Sequence, residues 1–113
     1  MSKLAFWAFE RIMLFDLSKK KEPCIEIEFS IDNFSEYNSC YMGKMKCKHT
    51  GKDWYWYGLV ADGSQAYEFY SFEEFITAKI FHGNNLQDIW NSVSLLSIDA
   101  CDVGERLPFY LKT

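Results

Sequence analysis

The sequence is poor in the groups that do chemistry. Its 113 residues hold two histidines, His49 and His82, and no Gly-rich phosphate loop. The four cysteines, Cys24, Cys40, Cys47 and Cys101, form no Cys-x-x-Cys pair. Cys47-Lys48-His49 has no second half at zinc-finger spacing. These absences leave no metal, no cofactor and no catalytic group to assign. Positive charge is also short: 12 Lys and Arg stand against 16 Asp and Glu, a formal net charge of −4. Nucleic-acid binders draw their affinity from Lys and Arg that neutralise phosphates, so direct nucleic-acid binding is not expected. No apolar run is long enough for a membrane span. The stretch after Met1-Ser2-Lys3 lacks the small-residue cleavage site of a secretory signal. The expectation is a cytoplasmic protein with four reduced thiols, in which the Asn33-Phe34-Ser35 sequon carries no meaning. With no repeat, low-complexity segment or linker, residues 1–113 read as a single domain.

Aromatic side chains, in contrast, are dense. Ten Phe, seven Tyr and four Trp help bring the apolar share to 49%, enough to offset the entropy of ordering. The clearest strand is residues 24–31, where Ile25, Ile27, Phe29 and Ile31 alternate with Glu26, Glu28 and Ser30. Residues 40–48 alternate again. Tyr41, Met45 and Cys47 are expected on the core face, and Lys44, Lys46 and Lys48 on the solvent face opposite Glu26 and Glu28. Residues 54–60 and 65–70 read as a hairpin. With Asp62-Gly63 as a two-residue type I′ loop, Trp56 falls opposite Phe69 and Tyr57 opposite Glu68. Trp54, Trp56, Val60, Tyr67 and Phe69 then share a face expected to be buried, because Trp and Phe bury the most area. Tyr55, Tyr57, Leu59, Ala66, Glu68 and Tyr70 share the other.

Helix signals surround the strands. A short helix is expected to end near Phe9, on a stripe of Ala5, Ala8, Phe9 and Ile12, before a strand carrying Met13, Phe15 and Leu17. Ser71-Phe72-Glu73-Glu74 is a capping box, followed by Phe72, Phe75, Ile76 and Ile80 as a buried stripe with Gly83 at the C-cap. Asn85 and Asp88 are expected to cap a second short helix carrying Leu86, Ile89, Trp90 and Val93. Residues 94–98 read as a last strand, and residues 102–113 as a brief turn or helix. The expected fold is α+β: a mostly antiparallel sheet with two helices late in the chain packed on one face.

Tyr55, Tyr57 and Tyr70 beside Glu68 suit a protein-binding surface, since Tyr offers area and a hydroxyl at low entropic cost. An ordinary half-exposed sheet, or one covered by the N-terminal segment, accounts for the same residues. Asp62, Glu68, Glu73, Glu74 and Asp88 are read as an acidic rim that speeds encounter with a basic partner. A solvated acidic face is the readier explanation, and Glu73 and Glu74 already suit a helix N-terminus. Cys47 and His49, two apart on an extended strand, would point the same way as a Cys/His enzyme pair, but nothing supplies an oxyanion hole. His82 before Gly83 fits a helix C-terminus.

From Asp53 to Asp99 the order is an aromatic strand Asp-Trp-Tyr-Trp-Tyr-Gly, an Asp-Gly hairpin, a Ser-Phe-Glu-Glu helix start and a Gly-Asn-Asn-Leu segment. This half of the chain resembles the small acidic immunity proteins of bacterial polymorphic or contact-dependent toxin systems. The resemblance implies a non-enzymatic protein that binds a cognate toxin domain, often a nuclease, and blocks its active site. The expected contacts are Tyr55, Tyr57, Glu68 and Tyr70, with Asp62, Glu73 and Glu74 around them. A homodimer closed through the tyrosine face is the alternative.

Overall fold

The computed structural model describes residues 3–111. Strands β1 (Cys24–Ile31), β2 (Cys40–Lys46), β3 (Asp53–Gly58), β4 (Ala66–Phe69) and β5 (Val93–Ile98) form one sheet in the order β4-β3-β2-β1-β5. Every pairing is antiparallel. Helices α1 (Phe6–Met13), α2 (Phe72–Thr77) and α3 (Val103–Leu111) complete an α+β fold.

β1 sets the inner face. Ile25, Ile27, Phe29 and Ile31 are all buried, as their alternation requires. Register carries that face across the sheet. Ile27 lies opposite Met42 and Ile98, Met42 opposite Tyr57, and Tyr57 opposite Tyr67. Helix side chains close over this row: Phe9 packs on Phe75 and Trp90, and Phe75 stacks on Tyr57 at 4.2 Å. Among the described residues α2 and α3 are the two helices late in the chain, and α1, expected at the N-terminus, joins them on the same face of the sheet. The N-terminal helix runs to Met13 because Phe9, Ile12 and Met13 make a single buried stripe. A 3-10 turn at Leu17–Lys19 replaces the strand expected after it.

The capping box forms as read: the Ser71 hydroxyl accepts the Glu74 amide at 3.1 Å and donates to the Glu74 carboxylate at 3.2 Å. α2 nevertheless stops at Thr77. His82 and Gly83 then take positive φ in a two-residue turn closed by reciprocal Phe81–Asn84 bonds. His82 therefore does not end a helix. It meets the Glu36 carboxylate at 2.8 Å. Asn85 accepts the Asp88 amide at 2.7 Å, but turns and a 3-10 turn at Trp90–Ser92 stand where a second helix was expected. All four thiols are free.

Candidate partner-binding face

The hairpin register departs from expectation by one residue. Trp56 pairs with Glu68, Tyr57 with Tyr67 and Tyr55 with Phe69. The cause is loop chemistry. The Asp62 carboxylate accepts the Ser64 amide at 2.8 Å, so of the two loop residues only Gly63 takes positive φ. Leu59 bonds Gln65, which makes the loop five residues long. An odd loop shifts β4 by one and exchanges its faces.

β2 is likewise turned over. Lys44 is only 3% exposed and lies on the inner face between Ile25 and Tyr55. Its ammonium donates to the Phe15 carbonyl at 3.0 Å, meets Asp53 at 3.4 Å and stands over the Tyr55 ring. Burial pulls the Lys44 ammonium below its usual pKa, and Asp53 offsets part of that. Lys46 also pairs with Asp53, at 3.2 Å. The lysines therefore do not face Glu26 and Glu28, which sit opposite Gly43 and Tyr41.

These two reversals move the candidate surface. Tyr55 and Tyr57 are 6% and 1% exposed, so both belong to the core and neither lies on a surface. Burial raises the Tyr57 hydroxyl well above its usual pKa, and it donates to the Phe75 carbonyl at 2.8 Å. The outer face carries the tryptophans instead. One cross-strand row is Glu26, Gly43, Trp56 and Glu68; the next is Cys24, Met45 and Trp54; a third is Glu28, Tyr41, Gly58 and Ala66. Trp54 and Trp56 are half-buried, while Tyr41 and Met45 are exposed. Gly43 is required there: a Cβ would stand 2.8 Å from Cε2 and Cζ2 of Trp56 and 2.1 Å from the Ile25 carbonyl oxygen. The indole thus lies down in the gap that Gly43 leaves.

The other expected contacts scatter. Glu68 is exposed on the outer face, and Tyr70, 75% exposed, follows the end of β4. Asp62 is at the hairpin tip. Glu73 and Glu74 open α2, which belongs to the helix layer behind the sheet. Glu68 therefore points away from the face of the sheet on which α2 packs. Trp54, Trp56, Tyr41 and Met45 were expected on the core face and lie on the outer one instead, although the small residues Gly43 and Gly58 on neighbouring strands mark where a large ring can lie flat.

A second concavity, of about 590 Å³, opens beside Lys20, Lys21, Cys24, Glu26, Asp99 and Arg106. Asp99 is part of its lining. It accepts the Glu26 amide at 3.1 Å, Lys20 at 2.9 Å, Arg106 at 2.9 Å and the Tyr110 hydroxyl. Burial alone would raise this carboxyl, but the bonds from Tyr110, Lys20, Glu26 and Arg106 outweigh it and hold the pKa below its usual value. Its acceptor sites are filled from within the chain, so Asp99 works as a joint between β1, β5 and α3. Cys47 and His49 do not form the pair considered from sequence. β2 ends before them, and Cys47 opens a turn closed by the Gly51 amide. Hydrogen bonds from Thr50 and the His49 amide hold the Cys47 thiol below its usual pKa.

Comparison with protein-family models, with curated proteins and with solved structures gave no match to this chain. Among the described residues, no helix is long and apolar enough to cross a membrane.

Proposed function

We propose that this chain is an inhibitory protein-binding module of the immunity-protein kind, which neutralises a basic partner such as a toxin domain by covering its working groove. The observation that carries the reading is the outer sheet face. Trp54, Trp56, Tyr41 and Met45 lie there among Glu26, Glu28 and Glu68, and the strand positions of that face hold no Lys or Arg. Aromatic rings supply buried area, and the carboxylates select a cationic partner. The sequence resemblance and the net charge of −4 support the same reading.

The charge also ranks this reading above a homodimer. A two-fold interface is isologous, so closing this face on itself would bring three carboxylates against three. Like charges set face to face cost several kcal/mol. The test is capture from a lysate of the source cells by the wild-type chain and by Glu68→Lys. The reading stands if one basic protein is retained by wild type, lost by the variant and inhibited in its own assay. It falls if the two proteins capture the same set, or if light scattering finds a concentration-independent dimer that hides Trp56.

A further inference from the structure

Cations and aromatic rings are already matched elsewhere in this chain. Lys44 stands over Tyr55, and Lys20 and Arg106 over Phe109 and Tyr110. Among the described residues no cation stands over Trp56, the ring type with the strongest attraction for one. Glu68, directly opposite it, has no ion pair or side-chain hydrogen bond among the described residues. Glu26, across Gly43, has none either, but it shares the neighbouring concavity with Lys20, Lys21 and Arg106. Beside Trp56 and Glu68 runs a groove of about 470 Å³. Its floor is low because Gly58 and Ala66, paired across the strands, bring almost no side chain to it.

We propose that Trp56 and Glu68 form a slot for a single arginine side chain of the partner. This rests on the reading of the outer face as the binding surface and names its chemical selectivity. The guanidinium stacks on the indole held down over Gly43, and the Glu68 carboxylate accepts two of its N–H bonds. The aliphatic stem lies along Gly58 and Ala66. Arginine fits better than lysine because its cation is planar, weakly hydrated and able to present two parallel donors to a carboxylate.

The test uses two capped nonapeptides of equal charge, one built on arginine and one on lysine, titrated into the 15N-labelled full chain. The Trp56 indole N–H and the Glu68 amide are followed by NMR. The arginine peptide is expected to bind about two- to fivefold tighter than the lysine peptide, and to move both signals saturably. Glu68→Gln, an exposed substitution that keeps the fold, should erase that preference, and Trp56→Phe should reduce it. Equal affinity for the two peptides overturns the slot, as does an unmoved Trp56 indole or an undiminished preference in Glu68→Gln. Because the probes are defined peptides and the readout is a residue signal, this failure is distinct from failure of the inhibitory reading. A partner captured and inhibited through a face whose Trp56 ignores arginine would keep the function and sink the slot.

Discussion

Tyr57 illustrates how one side chain can carry two loads. Its ring stacks on Phe75 at an interplanar angle of 11°, and its hydroxyl satisfies the Phe75 carbonyl. Tyr57→Phe keeps the stack and strands a buried carbonyl, which costs about 1–3 kcal/mol. Tyr57→Ala removes the ring as well and should cost about 3–5 kcal/mol. Urea unfolding of both variants checks the pair; if Tyr57→Ala unfolds at the wild-type midpoint, the residue is not core. Asp99 makes a different prediction. Its folded-state pKa lies below the usual 3.8, so the folded state binds the proton more weakly than the unfolded chain. Its stabilisation is therefore complete above the unfolded value and is lost as pH falls through the folded one. Asp99→Asn leaves the Lys20 ammonium, 4% exposed, without its counter-charge. It should cost about 3 kcal/mol at neutral pH and flatten the acid limb of the stability curve below about pH 4. Thermal melts at a series of pH values read both effects.

At the level of elements, β1 and the start of α2 were legible because their signals are local. Alternating Ile residues and a Ser-x-x-Glu box have one physical solution each. β2 was not legible. Lys44 reads as a solvent position, yet its stem packs on the inner face and its ammonium finds a carbonyl and a carboxylate at the margin. The hairpin failed on parity, since the Asp62 side chain rather than its backbone shapes the loop, and one residue of slip exchanges a face. The second helix failed because a single cap, Asn85 to Asp88, does not nucleate one, and tertiary contacts at Leu86 and Trp90 hold irregular turns instead. Gly43 supplies the test at this scale. Gly43→Ala forces a Cβ against the β1 backbone and lifts Trp56, an overpacking that should cost about 3 kcal/mol. Hydrogen exchange should quicken along β1 and β2 together. Exchange unchanged in both strands would mean that the close approach is not needed.

For the whole molecule, plan area and charge would divide the work of the proposed binding. Three strand spacings of about 4.8 Å by six residues of about 3.4 Å give the outer face roughly 300 Å² in plan. A stable complex buries about 800 Å² on each partner. On the proposed reading, residues at the margins would therefore have to join the contact; Tyr70, 75% exposed, is one that the sequence already named, whereas the tryptophans of the outer face depend on the register of four strands and were not legible. Charge acts over a longer range than contact. Glu73, in α2, and Asp88, in the turn that follows, are exposed, and both would contribute to the field that the proposed basic partner meets. Glu73→Lys with Asp88→Lys takes the formal net charge from −4 to 0, a change of +2 at each site, and leaves the outer face untouched. If the partner docks on the sheet, the association rate should fall by about tenfold at low salt and converge with wild type at high salt, where the Debye length is about 3 Å at 1 M. The dissociation rate should not change, because no desolvated contact has been altered. Surface plasmon resonance across a salt series separates the two rates. A dissociation rate raised as strongly as the association rate is lowered would place the partner on the helix layer and remove Trp56 from the interface.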